Sequence, residues 1–164
     1  MTKGPTLVAE TTADSILKRQ ESRGALVLAL ILGLVFISRT FAPPSFGELR
    51  LRDFGKIYEA LNAYKKDHGA FPVASFVTAY PNGVHSPNWI PGLAPKYLTQ
   101  IPEDPRGSTD PTRQYMYASD GRDFKIIAHA PEDFVPITKK LPQITDPRRP
   151  TWAYGIWTNG ASSW

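Results

Sequence analysis

Residues 24–37, GALVLALILGLVFI, carry no polar side chain, and no other stretch of the chain is as apolar. Such a segment must be buried on all sides or placed in lipid, so it constrains the fold before any other feature does. As a helix, its 14 residues reach about 21 Å, short of a hydrocarbon core of roughly 30 Å. Extension to Ala42 gives 19 residues and about 28 Å, provided the Arg39 guanidinium snorkels to the headgroups. Leu26, Leu30 and Leu34 then repeat along one side of the anchor, with Arg39 at its outer edge. Lys18, Arg19 and Arg23 precede the run and favour a cytoplasmic N-terminus, although Arg39, Arg50 and Arg52 follow on the far side.

The organisation read from the sequence is a polar cytoplasmic tail over 1–23, a transmembrane helix over 24–42 and a folded domain over 43–164. A cleaved secretory signal is an alternative reading of the same run. Thr40-Phe41-Ala42 is a weak cleavage site, however, with Pro43 directly after it and a long polar leader before it.

Pro43-Pro44 ends the first helix and prepares a second. Ser45-Phe46-Gly47-Glu48 has the form of a capping box, and Leu51, Phe54, Ile57/Tyr58, Leu61 and Tyr64 recur at helical spacing as far as Gly69. An amphipathic helix of about six turns is expected, its apolar stripe covered by the rest of the chain.

Residues 70–113 are rich in proline and read as irregular, with helical turns near Ala94 to Leu98 and room for two or three hidden strand residues. QYMYAS and DFKIIAHA flank Ser119-Asp120-Gly121-Arg122, a strong hairpin signal in which Tyr115 and Tyr117 point one way and Met116 the other. Residues 131–150 again read as irregular. In TWAYGIWTNGASSW, Trp152, Tyr154 and Ile156 alternate as on a strand. Helix first and antiparallel strands after it give an α+β domain, one helix packed on a small antiparallel sheet with long loops.

The balance of charge argues against nucleic acid as a partner. The chain has a net charge of +4, but residues 43–164 hold 14 Lys/Arg against 12 Asp/Glu with no basic block. The absence of cysteine removes disulfides, thiolate metal sites and thiol nucleophiles together. His68, His85 and His129 are scattered without metal-ligand spacing, and no nucleophile elbow, phosphate loop or dinucleotide fingerprint occurs. No catalytic residues and no cofactor are expected. Trp152, Tyr154, Trp157 and Trp164 lie within 13 residues, with Trp89 in the long loop. These five are the interface candidates, since Trp and Tyr bury large area at low entropic cost.

Three segments resemble the type IV pilin-like family, most closely the major pseudopilins of type II secretion. LNAYKKDHGAFP (61–72) is similar to the family's helix end, WIPGLAPKYLTQIPEDP (89–105) to its proline-rich loop, and QYMYASDGRDFKIIAH (114–129) to its hairpin. The resemblance implies a pilin-like headpiece on the periplasmic side of a bacterial inner membrane, and subunits that self-assemble or join a secretion machine. It also implies a calcium site beyond the last matched strand, where Glu132, Asp133 and Asp146 lie nearby but at no defined loop spacing.

The N-terminus departs from that family. Arg23-Gly24 imitates the processing site, but Ala25 follows where an aromatic is usual, and Ala29 stands where the assembly glutamate would be. The expectation is therefore a non-enzymatic, single-pass membrane protein acting as a structural or accessory subunit with other membrane-protein subunits. A divergent polymerising pseudopilin is the alternative.

Overall fold

Helix α1 (Phe46–His68) begins at the expected capping box: the Ser45 hydroxyl accepts from the Glu48 N–H, and the Ser45 N–H donates to the Glu48 carboxylate at 2.8 Å. The computed structural model describes residues 43–110 and 112–164. The tail 1–23 and the transmembrane segment 24–42, with Leu26, Leu30, Leu34 and Arg39, lie outside the described residues. Among the described residues, no helix is long and apolar enough to cross a membrane. Gly69 ends α1 in the left-handed region, φ 77°, which glycine adopts without steric cost.

The buried stripe of α1 is the expected one along Phe54, Ile57 and Leu61, with Leu51 and Tyr64 partly buried against the core, and it is widened by Arg50 and Ala60. Arg50, Phe54, Ile57, Ala60 and Leu61 are buried, while Tyr58 is 49% exposed. What the sequence reading left out is a cation on that stripe: Arg50 precedes Phe54 by one turn and goes inward with it.

Four strands, β1 (Ala74–Val77), β2 (Tyr115–Ser119), β3 (Phe124–His129) and β4 (Ala153–Trp157), form one antiparallel sheet in the order β1-β2-β3-β4. The β2–β3 hairpin turns where Asp-Gly predicted. The Asp120 carboxylate accepts from the N–H groups of Arg122 and Asp123, and Gly121 takes φ 90°. Register aligns Tyr115, Ala128 and Tyr154 in one row, and Tyr117, Ile126 and Ile156 in the next.

Those rows meet α1. The Phe54 ring lies 5.2 Å from Tyr115 and 6.3 Å from Tyr154, and Tyr58 lies 6.2 Å from Phe124. Each large ring removed from water here contributes about 1.5–3 kcal/mol, which holds the helix on the sheet. The α+β arrangement of one helix on a small antiparallel sheet is therefore observed.

Two loop readings need correction, the first because 70–113 contains the four-residue strand β1 rather than two or three strand residues. Residues 78–114 contain no α-helix or strand among those described, yet Trp89, Ile90, Leu93 and Ile101 are core residues. The stretch 131–150 is not irregular throughout: it holds α2 (Phe134–Lys140) and a 3-10 turn at Pro142–Ile144. Pro136 sits in the first turn of α2, where no intrahelical N–H bond is lost. Ile137 then packs on Gly47, whose missing Cβ makes the close approach of the two helices feasible.

Candidate interaction surface

The loops are fixed to the helix and sheet by two buried ionic clusters. In the first, the Arg50 guanidinium is fully buried and donates to Asp104 through Nε (2.8 Å) and Nη2 (3.1 Å). Nη2 also reaches Glu132 at 3.1 Å, and Nη1 lies 3.0 Å from Asp133 Oδ1 without hydrogen-bond alignment. The Tyr154 hydroxyl donates to Asp133 at 2.8 Å, and Arg113 holds Glu132 from the other side at 2.9 Å. Burial works to raise the Glu132 pKa, but its own backbone N–H and Arg50 outweigh it, so the carboxyl is held below its ordinary value.

In the second cluster the Lys125 ammonium is fully buried on the outer face of the sheet. It donates to Asp146 at 3.1 Å and to the main-chain oxygens of Ser162 (3.0 Å) and Trp164 (3.1 Å). Arg149 donates to the same Asp146 and to the same Trp164 oxygen. Burial pushes the Lys125 pKa down, opposed by Asp146. These contacts lay the 158–164 segment across the sheet.

This geometry also accounts for the acidic residues weighed for calcium. Glu132 and Asp133 converge on Arg50, and Asp146 converges on Lys125 and Arg149, so their oxygens already face protein cations. Among the described residues, no group of three or more His, Asp or Glu side chains is arranged to hold a metal ion.

Of the histidines, His68 contacts the Tyr97 hydroxyl at 3.0 Å, His85 contacts Glu103 at 2.7 Å, and His129 contacts the Thr112 carbonyl. The three are not brought together.

The five aromatic interface candidates separate. Tyr154 is fully buried and Trp89 is 3% exposed, so both belong to the core and leave the set of contact residues. Trp152 is partly exposed and stacks edge-on against His129 at 4.8 Å. Trp164 lines a cleft of about 420 Å³ with Val73, Ala74, Phe76 and Ala118. Trp157 lines a different cleft of about 440 Å³, between α1 and edge strand β4, with Leu51, Phe54, Gly55, Tyr58 and Ile156.

The sequence reading missed Gly55 and the exposed side of Tyr58 because both lie on a helix whose apolar residues were all assigned inward. Gly55 has no atom within 4 Å of where a Cβ would stand, so the surface there is open. What the molecule offers is apolar, aromatic-lined surface at two edges of the sheet, with its buried ionisable groups engaged in structural contacts. Compared with known proteins, the chain matches no protein-family model, no curated protein and no solved structure.

Proposed function

We propose that this chain is a non-enzymatic, single-pass membrane protein, anchored through 24–42 in a bacterial inner membrane. Its pilin-like domain stands on the periplasmic side and serves as a structural or accessory subunit of a larger membrane-protein assembly. The observation that carries this reading is the pairing of the uncharged 24–37 run with a domain that presents open apolar clefts at two edges of its sheet. The histidines and carboxylates discussed above are engaged in contacts that fix loops, which suits a scaffold better than a reaction centre.

The anchor is tested by alkaline carbonate extraction of native membranes. The full chain should stay with the membrane pellet, and a variant lacking 24–37 should move to the supernatant. A full chain recovered in the supernatant overturns the reading.

The second reading, a divergent pseudopilin that polymerises, draws on the three resembling segments in their family order. It requires removal of residues 1–24, and it lacks the stem glutamate that Ala29 replaces.

A further inference from the structure

We propose that the cleft beside α1 is a self-association surface, occupied by α1 of a second copy running antiparallel about a two-fold axis near Lys56 and Ile57. Leu51, Gly55, Tyr58 and Asn62 fall within about 60° of one another at 100° per residue, so they form a single ridge along α1. All but Leu51 are exposed, and Leu51 is half-buried. Gly55 is a gap in that ridge and Tyr58, one turn on, is a projection, with open space above the gap.

A two-fold axis places each copy's projection over the other's gap, and pairs Leu51 with Asn62 in the same register. Charge fits the same operator. Arg52 and Glu59 lie on one flank of the ridge, both exposed; Arg52 acts through its charge on Glu48 one turn back but makes no close salt bridge or hydrogen bond among the described residues. In an antiparallel pair this flank meets its own copy, so Arg52 of one chain faces Glu59 of the other, offset by about half a turn along the axis. Glu48 and Lys66 stand in the same relation further out. A parallel pair would instead set this flank against the opposite flank of the second copy, and Arg52 would not meet Glu59.

Helix α1 is about 34 Å long. The β4 rim with Ile156 and Trp157 extends the same face. The contact is isologous and closes after two copies, so it does not propagate a filament. It does not rest on the membrane reading.

The test uses the full chain in mild detergent, by sedimentation velocity and by cysteine cross-linking; the chain has no cysteine of its own. Arg52→Glu and Glu59→Arg should each weaken dimerisation about tenfold, and the double reversal should restore it to within about threefold. Leu51→Cys and Asn62→Cys should each fail to cross-link alone and should cross-link when mixed. A monomer at all concentrations overturns the proposal. So does association through 24–37, which would be insensitive to the reversals, or self-linking of Asn62→Cys, which would indicate a parallel pair.

Discussion

Arg50 and Asp104, 54 residues apart in the chain, form a two-pronged ion pair from which solvent is excluded. The pair joins the first turns of α1 to the long loop, and Glu132 and Asp133 bring in the segment that starts α2. Removal of one partner strands a buried charge, which costs more than the pair contributes by existing. Asp104→Ala should therefore lower stability by about 3–5 kcal/mol in urea denaturation. Arg50→Lys should not escape the loss, because an ammonium lacks the planar fork that meets both Asp104 oxygens. An Asp104→Ala variant with an unchanged midpoint would contradict this role.

The same cluster sets an acid response. Glu132 has a folded pKa held below its unfolded value, so its contribution is present above the unfolded value of 4.5 and is lost as the pH falls through the folded one. Asp53 behaves oppositely: burial raises its pKa despite the Tyr115 hydroxyl, which donates to it at 3.1 Å. Its folded state binds the proton more tightly, so stability is lost as the pH rises through that interval. Glu132→Gln should flatten the acid limb of the stability curve. Asp53→Asn should stabilise at pH 7 relative to its effect at pH 3, since the amide oxygen still accepts from Tyr115. Parallel pH–stability curves for wild type and Asp53→Asn would contradict the assignment.

Two glycines should respond in opposite directions to one methyl group. At Gly155 in β4 a Cβ would collide with the Ile126 carbonyl oxygen and the Ile127 Cα, atoms of the paired strand that cannot move without breaking the ladder. Gly155→Ala should cost at least about 3 kcal/mol by thermal denaturation, the upper end of overpacking effects. At Gly55 there is nothing to meet, and alanine should raise stability by about 0.5–1 kcal/mol through helix propensity. Equal effects at the two sites would refute the β3–β4 register.

Lys125 holds the 158–164 segment through two main-chain oxygens and Asp146. Lys125→Met should leave Asp146 with Arg149 and the Arg148 N–H, and should loosen the segment, whose Trp164 oxygen keeps only Arg149 of the two cations. Amide exchange should then accelerate at Ala161 and Trp164, whose N–H groups bond to Thr158 and Ala161. Unchanged protection at those two amides would mean that Arg149 and packing hold the segment without Lys125.

How far the sequence disclosed this structure follows from which rules acted alone. Ser45 and Glu48 mark the helix start, Gly69 its end and Asp120-Gly121 the hairpin, because capping and turn chemistry depend on neighbours only. β4 was legible for the same kind of reason, as alternation along Tyr154 and Ile156. Arg50 and Lys125 were not, because a buried cation is explained only by carboxylates distant in sequence, Asp104 and Asp146. A local signal for Arg50 did exist: it stands four residues before Phe54, on the inward phase of α1. Tyr154 and Trp89 look like surface anchors by composition, and only the tertiary packing shows them to be core residues. The Gly55–Tyr58 ridge escaped notice because a gap carries no hydrophobic signal.

The measurement that most directly tests the account is the intact mass of the chain purified from native membranes. An uncleaved subunit predicts a mass that begins at Met1, recovered together with other membrane subunits. A mass lacking residues 1–24, with a methylated amine on Ala25, would contradict it and establish a processed, pilin-type stem.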